Sequence, residues 1–140
     1  MFTLFSHVGI AVHDLDQAVE LWTETFGLTL VETFEVEVEG VRSAMLSTGG
    51  PFGEATCVEL IAPLAPDDTG KPIPRRLADH GEGVFHLAFR IDDATTTKEQ
   101  LDSAGLRSIP LVPAGPAEEP RLIVHPCSAN GVLIELLATP

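Results

Sequence analysis

Cysteine is scarce in this chain. Only Cys57 and Cys127 occur among 140 residues, and neither lies in a CxxC spacing, so a disulfide scaffold is excluded and free thiols are expected. Positive charge is scarce too: eight Lys and Arg stand against 21 Asp and Glu, a formal net charge of -13. Such a balance repels phosphate backbones and anionic lipid, which argues against nucleic-acid binding and membrane docking. No apolar run approaches the roughly 20 residues a membrane span needs. The opening Met1–His7 lacks a basic segment followed by an apolar run, so a cytoplasmic protein is expected. Low-complexity sequence is absent.

What is present is a hydrophobic content of 44%, enough for one domain with a real core and too little chain for two conventional ones. A single domain over 1–140 is therefore expected. The acidity has a second consequence. A divalent cation is held readily where carboxylates and imidazoles point at one place.

An internal repeat identifies such a place. Residues 7–27 read HVGIAVHDLDQAVELWTETFG and residues 86–105 read HLAFRIDDATTTKEQLDSAG; each begins on His, passes an Asp and closes on Gly. Each half also ends alike, in VELIAP at 58–63 and IELLATP at 134–140. His7 to Glu59 is 52 steps and His86 to Glu135 is 49, so four residues able to bind metal occupy two pairs of equivalent positions.

Each half reads as strand, helix, then three strands, with module one at about 1–63, a linker at about 64–83 and module two at about 84–140. In module one, a strand near Leu4–Val12 leads to a helix capped by Asp14, whose side chain can accept from the backbone near Gln17. Leu15, Ala18, Val19, Trp22 and Phe26 recur at helical spacing until Gly27 ends the helix. Strands follow near Leu28–Val38, Val41–Ser47 and Ala55–Ala62, with turns at Glu39-Gly40 and Gly49–Gly53. The linker holds a short helix near Pro74–His80. Module two gives strands near Val84–Ile91, Leu106–Leu111, Arg121–His125 and Val132–Leu137, and a helix over Asp93–Ala104. The fold class expected is α+β, two βαβββ modules forming a curved eight-stranded mixed sheet around a metal-binding cavity.

Strand alternation sets where the four polar residues point. Val8, Ile10 and Val12 form the bulky set beneath the helix and leave His7 on the other face. Val58 and Leu60 flank Glu59, Phe85, Leu87 and Phe89 flank His86, and Ile134 and Leu136 flank Glu135. A lone His on a strand is ordinarily a hydrogen-bonded core residue and a lone Glu is ordinarily solvated. Two Glu side chains among apolar neighbours, however, are costly to bury without a cation or hydrogen bonds. Two imidazoles and two carboxylates suit cobalt, manganese, nickel, iron, magnesium or zinc. Of the other histidines, His13 and His80 are expected exposed and His125 is a candidate pocket residue. Arg90 shares a face with His86 and could meet a substrate carboxylate or a protein one. Cys57 shares a face with Glu59.

These segments, with FHLAFRIDD at 85–93 and VHPCSANGVLIEL at 124–136, resemble the vicinal oxygen chelate superfamily and, within it, the methylmalonyl-CoA epimerase family. The resemblance covers nearly the whole chain. It implies a metal-dependent epimerase in which His7, Glu59, His86 and Glu135 bind one divalent metal ion and Glu135 is also catalytic. It implies an acyl-CoA thioester as small-molecule partner, proton transfer at the carbon between thioester and carboxylate, and a homodimer. Ser43 stands where some of these epimerases carry Glu, and with Arg90 and His125 it is a candidate substrate-binding residue. Cys127 stands where Lys is frequent, leaving Lys71, Arg75, Arg76 and Arg121 as cations that could meet a nucleotide. The same scaffold also carries isomerase, lyase and dioxygenase activities and non-catalytic binding proteins. An extradiol dioxygenase normally uses two His and one carboxylate, and sequestering proteins usually lack the metal set, so four ligands argue against both.

Overall fold

A computed structural model describes residues 1–49, 57–115 and 118–138. Its elements are β1 (Phe2–Ala11), α1 (Leu15–Glu20), β2 (Thr29–Val36), β3 (Val41–Ser47), β4 (Cys57–Pro63), α2 (Pro72–His80), β5 (Gly83–Ile91), α3 (Ala94–Ser103), β6 (Ser108–Ala114), β7 (Glu119–Val124) and β8 (Ile134–Ala138). The expected strand start at Ala55 and most of the expected Gly49–Gly53 turn lie outside the described residues, as do Thr139 and Pro140 at the end of the second repeat. No helix among the described residues is long and apolar enough to cross a membrane.

The chain divides into two compact units, a central one over Val8–Phe85 and a terminal one formed by Met1–His7 with His86–Pro140. In the central unit, Asp14 caps α1 by accepting from the Gln17 N–H at 3.0 Å, as its place before the apolar stripe predicts. The expected single helix changes character at Leu21. Residues Leu21–Thr25 form a π-helical turn, with the Phe26 N–H reaching back five residues to the Leu21 carbonyl at 3.2 Å. Thr23 also turns its hydroxyl onto the Val19 carbonyl, a competing bond that loosens the regular ladder. The wider turn shifts the helical phase, and Phe26, expected on the buried stripe, is 55% exposed, with its ring edge-on to Trp22. Leu15, Ala18, Val19 and Trp22 do cover the sheet. They pack with Val8, Ile10, Val12, Ala44, Leu46, Val58 and Leu60, the face that strand alternation assigns to the core. The opposite faces of β3 and β4 carry Ser43, Met45 and Glu59.

The terminal unit repeats this plan. Asp93 caps α3 through the Thr96 N–H at 2.6 Å, and Gly105 takes φ 75° where its counterpart Gly27 takes 78°, each in the left-handed conformation that ends a helix. Leu101 of α3 packs on Phe89, Ile91, Leu122, Val124, Ile134 and Leu136. The first residues of β1 join this unit through Phe2, whose ring stacks on Phe89 with centroids 4.7 Å apart.

Within the central unit β2 pairs β3 and β3 pairs β4, both antiparallel; in the terminal unit β6 pairs β7 and β7 pairs β8, also antiparallel, while β5 pairs β8 in parallel. The strand order is β2-β3-β4-β1-β5-β8-β7-β6, a mixed eight-stranded sheet in which the order of one module mirrors the other. The chain is thus α+β and built from two βαβββ modules. Both edge strands discourage further pairing: β6 carries Pro110 and Pro113, and β2 carries Glu32 and Glu35.

Candidate metal centre

The terminal unit brings His7, His86 and Glu135 together. All three are buried, on β1, β5 and β8, and each stands on the face opposite the α3-packed core. The two Nε2 atoms lie 3.1 Å apart, and Glu135 Oε2 lies 3.1 Å from His86 Nε2 and 3.7 Å from His7 Nε2. Ligand atoms of the three fall within 4.8 Å of one another.

Ser6, next to His7, has its hydroxyl 3.0 Å from His7 Nδ1. With the hydroxyl accepting from Nδ1–H, His7 presents Nε2 with a bare lone pair toward the other two groups. Two imidazole nitrogens at 3.1 Å and a carboxylate oxygen cannot face one another as bare lone pairs. A proton or a cation must stand among them. Where protons take that place, the rings are charged: burial by itself pushes the Glu135 carboxyl up, and hydrogen bonds from the protonated His7 and His86, with their charge, outweigh it and hold the group well below the usual carboxylate range. The donor set therefore fits a borderline or hard divalent ion, two imidazole nitrogens and a carboxylate oxygen being ordinary ligands for it.

Two residues around this cluster escape sequence reading. Ser6 is one, because nothing in the pattern says which side the hydroxyl takes. Arg121 is the other. Counted above among cations that could meet a nucleotide, it is 8% exposed on β7, where Nη1 donates to Glu135 Oε1 at 2.9 Å while Nε and Nη2 donate to the Val112 carbonyl at 3.0 and 2.7 Å. Its place, matching that of Ser43 beside Glu59, shows only in the strand register.

The remaining candidates fall as follows. Glu59 is buried in the central unit on β4, opposite Met45 of β3, with Val58 and Leu60 in the core on the other face. Ser43, 1% exposed, shares the face of Glu59. Arg90 lies on the face of His86 and donates to Glu119, the protein carboxylate that is the second of its two expected partners. His125 is half-buried after β7 and accepts from the Cys127 N–H at 3.1 Å, closing a short 3-10 turn. His13 and His80 are exposed, and Cys57 and Cys127 form no disulfide, the first being buried and the second exposed. Lys71 and Arg76 both donate to backbone carbonyls, of Val38 and of Gly81 and Val84.

Residues 6–123 match the model of the Glyoxalase/Bleomycin resistance protein/Dioxygenase superfamily. Among solved structures, the methylmalonyl-CoA epimerase of Mycobacterium tuberculosis is 34% identical, with a TM-score of 0.86 over 99% of this chain and 89% of that one. That of Streptomyces coelicolor, in complex with 2-nitronate-propionyl-CoA, is 32% identical, with a TM-score of 0.87 over 99% of each chain. The ethylmalonyl-CoA/methylmalonyl-CoA epimerase of Cereibacter sphaeroides is 28% identical over 97% of this chain and 98% of its own length. The chain belongs to this superfamily and, within it, to the methylmalonyl-CoA epimerase family of enzymes.

Proposed function

We propose that His7, Glu59, His86 and Glu135 hold one divalent cation, and that the chain epimerises methylmalonyl-CoA by exchanging the proton on the carbon between its thioester and its carboxylate. The observation that carries this reading is the convergence of His7 Nε2, His86 Nε2 and Glu135 Oε2 on one buried point. Glu59 enters as the repeat counterpart of Glu135, a buried carboxylate among Cys57, Val58 and Leu60. The substrate class follows from the relatives, one of which binds a propionyl-CoA nitronate and another of which is named for ethylmalonyl-CoA and methylmalonyl-CoA.

A bound cation supplies Lewis-acid polarisation of two substrate oxygens, which acidifies the carbon between them. Glu135, ionised at neutral pH, is the carboxylate at hand to take up or return a proton; the substrate carbon is already acidic, so modest base strength suffices. Ser43 sets a small neutral hydroxyl on the Glu59 face, where some epimerases of the family carry Glu, and is one substrate contact in this reading. Arg90 shares the His86 face and could exchange Glu119 for a substrate carboxylate, while His125 stands after β7 as a third substrate contact. A cytoplasmic homodimer is part of the same proposal.

The test is deuterium incorporation at the α position. A single stereoisomer of methylmalonyl-CoA, incubated in heavy water with Mn2+- or Co2+-loaded protein, gains deuterium and epimerises, and chelation stops both. Absence of exchange above the uncatalysed rate across methyl-, ethyl- and unsubstituted malonyl thioesters overturns the epimerase reading.

A further inference from the structure

Register gives Arg121 a counterpart. On β3, Ser43 stands two residues before Met45, the partner of Glu59; on β7, Arg121 stands two residues before Ile123, the partner of Glu135. The same place beside the glutamate thus holds a hydroxyl in one module and a guanidinium in the other. Stability need not account for the guanidinium, because a buried ion pair is often no better than well-packed apolar side chains of the same volume.

Its geometry does. Bonds from Nε and Nη2 to the Val112 carbonyl fix the plane of the guanidinium, and Nη1 takes Glu135 Oε1. Oε2 is left with His86 at 3.1 Å and His7 at 3.7 Å. The two oxygens of one carboxylate are therefore divided, one to a fixed cationic side chain and one to the imidazoles. A carboxylate can give a divalent ion one oxygen or both. A catalytic ion must keep positions open for its substrate.

The geometry points to Arg121 as a positioning residue that restricts Glu135 to one-oxygen ligation, so that the cation keeps room for two oxygens of the substrate. This rests on the cation site proposed above. Removing the guanidinium releases Oε1, lets Glu135 ligate through both oxygens, and closes a position that substrate or water would otherwise fill.

Water-proton relaxation of Mn2+-loaded protein counts those positions without any turnover. Wild type and Arg121→Met are titrated with Mn2+, and the relaxivity per bound ion is compared. Loss of one of two open positions lowers it by about a factor of two in Arg121→Met, while Arg121→Lys, whose ammonium can still hold Oε1, stays near wild type. Should Arg121→Met fail to fold, Arg121→Gln, a neutral donor that binds Oε1 more weakly, supports the inference by falling below wild type. Equal relaxivity in wild type and in the folded neutral variant overturns it while leaving the cation site intact. Failure of wild type to bind Mn2+ overturns the cation site and the inference together.

Discussion

The central and terminal units follow one plan and part ways beside their glutamates. Each has a helix capped by Asp and closed by a left-handed Gly, and each sets a Glu on its last strand with a core Leu next to it, Leu60 after Glu59 and Leu136 after Glu135. Yet β3 offers Ser43 and β7 offers Arg121 at the matching position. Duplication therefore accounts for the scaffold and for the four proposed ligand positions, while divergence between the copies accounts for what stands beside each glutamate. One carboxylate has a small neutral neighbour. The other has a buried cation clamped to backbone.

The deepest test of this division is loss of the shared ligands. His86→Ala removes one imidazole of the terminal cluster, and epimerisation falls by about 1,000-fold or more, as removal of a group central to proton transfer does; steady-state rates on methylmalonyl-CoA check it. If the two sequence repeats contribute equally, His7→Ala, at the repeat position equivalent to His86 though in the same compact unit, gives a loss of similar size, and a much milder one breaks that equivalence.

Next come the two cores. Leu60→Ala and Leu136→Ala each delete a fully buried side chain at equivalent places, and each costs about 2–5 kcal/mol in chemical denaturation. Unequal costs would locate the less tightly packed module.

A smaller effect is the pH response of Glu135. Because the folded environment lowers the Glu135 pKa from its ordinary value of 4.5, the ionised group contributes stability above that value, and the contribution is lost as pH falls through the lowered one. In chelator-treated protein, thermal midpoints below pH 4.5 decline less steeply for Glu135→Gln than for wild type.

Smallest of all are the helix caps. Asp14→Ala costs about 1 kcal/mol; Asp93→Ala lowers the thermal midpoint in the same sense, by melting curves, and neither changes the rate.

Much of this was legible in the sequence because alternation and duplication act on single residues. The stripes Val8-Ile10-Val12 and Val58-Leu60 place His7 and Glu59 opposite the helix without any knowledge of pairing. Asp14 announces its own bond to Gln17. Strand ends were harder, since β6 continues through Pro110 and Pro113 only because it is an edge strand. The π-helical turn was hidden because Leu21–Thr25 keep ordinary helical residues, and it shows only in the backbone, where the Phe26 N–H reaches the Leu21 carbonyl. Arg121 was hidden for another reason: its role needs the register of β7 on β8, and the loop lengths between strands do not give a register.

The central claim is that four residues from two duplicated modules hold one cation. Elemental analysis of Mn2+- or Co2+-reconstituted protein tests it most directly, in wild type and with His7, Glu59, His86 and Glu135 changed singly to Ala. One divalent ion per chain in wild type, with weakened retention in all four variants, is the predicted result; an empty wild type, or variants that keep the ion as tightly as wild type does, would contradict it.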